Sequence, residues 1–205
     1  MPVVPRLVAL PLVLLVAGCA PAGRGEAPSA PTARANDFRA AQVRQAVVLV
    51  RVVVASTSEL SERDRKDLPA LYESALLEAL DARAILVRDV RSVEARGAVP
   101  ETAAAAARAR EVGVDHALVV SLRVEPDVVR VCEETRRPMQ GRATVWRQEA
   151  RVVRAADGGE RLHAEVTTPD VEAECEGARP SVRRRGVQAT ATAAVDGLVR
   201  KMLAP

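Results

Sequence analysis

The stretch Ala46-Val-Val-Leu-Val-Arg-Val-Val-Val54 is a nearly unbroken β-branched run with one charge. It lacks the apolar–polar alternation of a half-exposed strand, so it is read as a strand buried on both faces and sets the sheet at the centre of the fold. Downstream, Leu68, Leu71, Tyr72, Ala75, Leu76, Ala79 and Leu80 recur at helical spacing, with Pro69 expected in the first turn. Ala84–Arg88 reads as a second strand. Pro100-Glu101-Thr102 opens a second helix through Ala103 to Val112, which Gly113 ends. Five consecutive alanines let that helix lie close to a sheet. Asp115–Val124 is a third strand, followed by strand-like stretches at Val128–Cys132, Arg142–Arg154 and Glu160–Thr168. Asp157-Gly158 lies between the last two and signals a hairpin. Val187, Ala191, Ala194, Val195, Leu198 and Met202 form a closing helix. The expected fold is α/β (α+β): a mixed sheet from β-α-β-α-β, then an antiparallel meander and a C-terminal helix. Right-handed crossovers are expected to place the first two helices on one face.

The 205 residues leave room for one domain of roughly 150 residues plus an extra segment. One Phe, one Tyr and one Trp, at positions 38, 72 and 146, are too few for a base-stacking nucleic-acid platform, an outer-membrane barrel's aromatic girdle or a ring-lined pocket. Phe38 is placed in the segment before the domain, with little part in the core. Thirty basic against 27 acidic residues give a net charge of +3, and the two signs are interspersed, so no nucleic-acid footprint is expected.

Met1–Arg6 is weakly positive and Leu7–Ala17 is apolar, the length of a signal-peptide core and too short to span a bilayer. The run ends Val16-Ala17-Gly18-Cys19, which resembles the lipobox of bacterial lipoproteins. The resemblance implies cleavage after Gly18 and acylation of Cys19, with more than one chain to hold the protein in a bilayer. Ala20 in place of aspartate implies sorting to the outer membrane, on its periplasmic face. Residues 1–18 are thus a signal peptide, 19–44 a lipidated cysteine and tether, and 45–204 a periplasmic domain. The tether is rich in Pro, Gly, Ala and Ser and spans about 25 Å as coil.

The element order, the hydrophobic opening strand, Gly113-Val-Asp-His-Ala-Leu-Val-Val120 and Asp157-Gly-Gly-Glu160 resemble a superfamily of bacterial envelope domains. It includes the amino-terminal domain of the Tol–Pal translocation protein, the curli-secretion lipoprotein and the penicillin-binding-protein activator lipoprotein. The resemblance implies binding or assembly rather than catalysis. The aromatic-rimmed long strands of the curli type have no counterpart in the sequence.

Cys132 and Cys175 are two thiols in a chain bound for an oxidising compartment and are expected to pair. The bond would pin the segment from Pro169 to Arg179, expected to be a loop, against the sheet. Two free thiols are the alternative; zinc spacing is lacking. His116 and His163 have no ligand or catalytic partner at motif spacing, and nucleophile-elbow, phosphate-loop and zinc-protease motifs do not occur. Glu172, Glu174 and Glu176 read as solvated. Arg183, Arg184 and Arg185 are expected at the start of the last helix, where the helix dipole disfavours cations, and form a candidate partner-binding cluster. No cofactor is expected. The functional expectation is a non-catalytic binding or assembly component of the envelope. Its partners are the bilayer, through Cys19, and an envelope protein or the cell wall. The alternatives are a subunit of an oligomeric secretion or transport assembly and, in another class, an envelope hydrolase.

Overall fold

The computed structural model describes residues 32–93, 101–134, 138–175 and 181–204. The signal peptide, the lipobox with Cys19 and most of the expected tether lie outside the described residues, as does Glu176. The elements are β1 (Ala33–Arg34), a 3-10 turn (Ala40–Gln42), β2 (Gln45–Val54), α1 (Glu62–Asp81), β3 (Leu86–Val93) and α2 (Thr102–Val112). They continue with β4 (His116–Val131), β5 (Met139–Arg154), β6 (Glu160–Pro169), β7 (Val171–Glu174), β8 (Ser181–Arg184) and α3 (Val187–Leu203). Six strands make one mixed sheet in the order β1-β6-β5-β4-β2-β3, and β7 pairs with β8 in a separate ribbon. β2 is parallel to both its neighbours, β3 and β4; the remaining pairs are antiparallel.

The β-branched run is the buried strand its composition requires. Ala46, Val48, Val50 and Val52 face one apolar layer with α1 and α3, while Val47 and Leu49 face a second layer with Ala105, Ala106 and Ala109 of α2. The helices therefore lie mainly on one face, but α1 shares that face with α3 rather than with α2. The reason is strand order: β3 lies on one side of β2 and β4 on the other. Two right-handed crossovers that run in opposite directions put their helices on opposite faces.

Several boundaries move for local reasons. α1 starts at Glu62, where Ser61 caps it by accepting the Asp64 N–H at 3.1 Å, so Pro69 falls inside the helix and not in its first turn. Pro69 is exposed, and water can serve the carbonyl left by its missing N–H. The expected strand 84–88 begins later, at Leu86, because Ala84 takes a left-handed φ of 57° in the turn after α1 and Ile85 plugs the core. α2 matches its expected span and ends on Gly113 at φ 78°.

The expected strands 115–124 and 128–132 are one strand of 16 residues. Pro126 does not interrupt it, since β2 has ended by then, its last pair being Val54 with Val124. The Ala55 N–H reaches the Val124 carbonyl, so the backbone of Val124, and by alternation that of Pro126 and Val128, points to the β2 side. The proline's missing N–H thus faces a free edge. Within the segment expected as a loop after β6, Val171–Glu174 is a strand, β7, which pairs with β8 through Glu172 with Arg183 and Ala173 with Val182.

The folded unit also begins well before residue 45. Ala33 and Arg34 pair with His163 and Leu162, and Phe38, expected to add little, is 1% exposed inside the main core.

Candidate functional site

Three places in the fold bring chemistry-bearing side chains together. The first is the arm formed by the outer part of β4 and β5, residues 125–131 and 139–143, which extends beyond the end of β2. Its β4 edge is blunted by Pro126 and by Asp127, whose carboxylate accepts the Val128 N–H at 2.7 Å. Its β5 edge is bonded at the inner end, where the arm leaves the sheet. Asp170 exchanges two hydrogen bonds with the Thr144 backbone, at 2.8 and 2.9 Å, and Arg184 donates to the Arg142 carbonyl at 3.4 Å. At the outer end of β4 the Cys132 and Cys175 sulfurs are 2.09 Å apart, with Cα atoms 5.3 Å apart. A left-handed φ of 59° at Cys132 turns the chain towards its partner. The expected pair is therefore together, and it ties the arm to the ribbon. Val128, on the arm, is 58% exposed and Val182, on the ribbon, 47%.

The second place is the arginine run, which is not at a helix start. Arg183 and Arg184 are in β8, and α3 begins only after its N-cap, Gly186. The nearby glutamates offer local pairing, and one of them, Glu172, is the partner that Arg183 takes. Arg183 meets Glu172 at 2.6 Å and Arg184 meets Glu59 at 2.6 Å. Arg185 donates to the carbonyls of Pro169 and Val171 at 2.9 and 3.2 Å. Arg183 closes the ribbon on itself, Arg184 and Arg185 fasten it to its surroundings, and the dipole conflict that singled them out does not arise.

The third place is a cleft of about 410 Å³ at the opposite end of the sheet from the arm, lined by Asp37, Phe38, Asp115, His116, Arg154 and Arg161 among others. Here β4 begins, β5 ends and the N-terminal segment crosses over. Asp157, in the β5–β6 turn, accepts from Arg154 at 3.2 and 2.5 Å, from Arg161 at 2.5 Å and from the Gly159 N–H at 3.0 Å. The Arg154 guanidinium, with the Gly159 N–H, holds the Asp157 carboxyl far below the usual carboxylate range. His116 is 7% exposed and meets the Phe38 ring edge-on, with centroids 6.5 Å apart. Burial lowers its pKa, against the pull of Asp115 and with that of Arg154 and Arg161. His116 Nδ1 and Arg161 Nε are buried without a hydrogen-bond partner.

No family model and no curated protein matches this chain. Among solved structures it is similar to the PelC dodecamer from Paraburkholderia phytofirmans, at 15% identity over 84% of this chain and 98% of that one, with a TM-score of 0.46. It is also similar to a putative neuraminyllactose-binding hemagglutinin homologue from Helicobacter pylori, at 10% identity over 76% and 79% of the two chains and a TM-score of 0.39. Lipoprotein GNA1162 from Neisseria meningitidis matches at 16% identity over 74% and 95%, with a TM-score of 0.34. Likeness at this level carries no argument about what this chain binds or does.

His163 lies on the α2 side of the sheet, on the opposite face from His116, with Glu149 and Glu165 at 3.3 and 3.4 Å from its Nε2. α2 covers only part of that face. Beyond it β4 and β5 carry cross-strand ion pairs, such as Arg147 with Glu125 at 2.8 Å. Among the described residues no group of three or more His, Cys, Asp or Glu side chains is placed to hold a metal ion, and no helix is long and apolar enough to cross a membrane. The cleft went unnoticed in the sequence because Asp37 and Phe38 were assigned to the tether. Asp-His beside the apolar run 117–120 was its one local sign.

Proposed function

We propose that this chain is a lipid-anchored, non-catalytic component of the bacterial cell envelope, held at the periplasmic face of the outer membrane through acylated Cys19. It binds or assembles with an envelope protein or the cell wall. The observation that carries the reading is the arm: a two-stranded projection with a blunted β4 edge and an exposed valine, braced by the Cys132–Cys175 pair. Paired thiols persist in oxidising compartments, which agrees with an exported chain. A rigid projection loses little entropy on docking, and a membrane anchor raises the local concentration of its bearer near a partner in the same envelope.

The anchor is tested by Cys19→Ala in a bacterial host. Uncleaved precursor and loss of fatty-acid labelling are expected, and continued labelling of the variant would refute the assignment. Crosslinking of the native protein in isolated envelopes, with and without Val128→Asp, tests the arm. The main crosslinked partner is expected to be lost in the variant. Light scattering on the purified protein separates a single-chain binder from a subunit of an oligomeric assembly, and robust hydrolysis abolished by one Ser or His substitution would establish the envelope hydrolase instead.

A further inference from the structure

The cleft at the foot of the sheet holds two guanidiniums whose hydrogen bonding is incomplete. Arg154 and Arg161 spend Nε or Nη2 on Asp157. Their Nη1 groups both approach a single atom, Asp37 Oδ2, at 3.8 and 3.5 Å. Charge-assisted N–H···O bonds close to about 2.7–2.9 Å, so Asp37 sits at the focus of two donors without bonding well to either. Its side chain is 61% exposed and belongs to the N-terminal segment rather than to the sheet. Arg161 is held more firmly, with its side chain 16% exposed. Phe38 and His116, both buried, line the cleft beside this focus. A pair of converging donors and a weakly held internal carboxylate together describe a receptor for a small organic acid.

We propose that the cleft binds a small ligand through a single carboxylate, seated between Arg154 Nη1 and Arg161 Nη1 where Asp37 now lies. A single charge is specified because the two guanidiniums already meet the carboxylates of Asp37 and Asp157, and Asp115 lines the same cleft. A carboxylate replaces that of Asp37 like for like, whereas a doubly charged oxyanion meets repulsion from Asp115 and Asp157. Asp37 is then an internal competitor, which moves into water when the ligand enters. The site stands apart from the lipid anchor, and failure of Cys19 acylation would leave it intact.

The chain has only two histidines, and they lie on opposite faces of the sheet, so His116 is a reporter at the site and His163 a control. The purified full chain in detergent micelles is titrated with benzoate at neutral pH while the imidazole carbon-bound proton signals are followed, assigned with His163→Gln. A saturable shift of His116, with His163 unmoved, is expected. Asp37→Asn should tighten benzoate by several-fold, and Arg161→Gln should weaken it by about tenfold, the loss of one charge-assisted contact. The tightening by Asp37→Asn is decisive, since that exposed side chain can be changed without disturbing the core and a merely structural role for Asp37 gives no gain. No saturable shift up to the solubility limit of benzoate overturns the proposal. So does an equal response to neutral benzamide, tighter binding of doubly charged phenyl phosphate, or unchanged affinity in Asp37→Asn.

Discussion

Tyr72 and Gln148 form a polar relay inside the main apolar layer. The Tyr72 hydroxyl donates to Gln148 Oε1 at 2.6 Å, and Gln148 Nε2 donates to the Ala194 carbonyl at 2.9 Å, linking α1, β5 and α3. Burial pushes the Tyr72 hydroxyl far above its ordinary range, so it remains a donor. Tyr72→Phe leaves a buried acceptor without its proton and should cost about 1–3 kcal/mol, measured by denaturant unfolding. Adding Gln148→Leu removes that orphan, so the double variant should be no less stable than Tyr72→Phe alone; strictly additive losses would show the two residues to be uncoupled. The sequence placed Tyr72 on the buried face of a helix but did not reveal its partner. Helical periodicity identifies a face, whereas a hydrogen bond between residues 76 positions apart depends on strand order. Phe38 was misjudged for the same reason: it follows a Pro- and Ala-rich stretch, and only the docking of β1 on β6 carries it into the core.

At the level of elements, the arm shows why breaker residues need context. Pro126-Asp127 has the composition of a turn and lies between the two stretches, 115–124 and 128–132, that the sequence pattern reads as separate strands. Within the sheet the pair lies where β4 has just lost β2, so the proline removes a donor that had no strand to meet and the aspartate serves the next free N–H. The cysteine pair was expected from compartment and count alone, and the structure adds its purpose, the fastening of a ribbon to an arm. With 43 residues separating the cysteines, the chain-entropy account gives the bond about 4 kcal/mol. Cys132→Ser with Cys175→Ser should lower unfolding free energy by up to that amount, read as a shift of the denaturant midpoint. The same shift should follow reductant treatment of the unsubstituted protein. A midpoint insensitive to both would mean that the bond does not form.

On the scale of the whole molecule, the order of β2 to β6 and of the three helices was legible, because each of these elements carries its own periodicity, whereas the short strands β1, β7 and β8 carry none. Which helix lies on which face was not legible. That depends on β3 and β4 flanking β2 from opposite sides, and no local pattern encodes the side on which a strand joins. The domain boundary suffered likewise. A chain starting at residue 45 lacks β1, Phe38 and Val43, and it should be less stable than one starting at residue 32 by at least the 3–5 kcal/mol typical of deleting a buried aromatic side chain, as measured by thermal or denaturant unfolding. Equal stability would return these residues to the tether. The opening strand also has a mechanical aspect. Arg34 donates to the Ala204 carbonyl at 2.6 Å, so the start of the fold is knotted to the end of α3. Tension arriving from the N-terminal side is met first by a two-residue strand at the sheet's edge and by Asp37 and Phe38, before it reaches β2. This clasp, a strand of two residues, stands in series with the core. Under load it is expected to give way first, drawing Asp37 out of the cleft while the sheet beyond it stays folded.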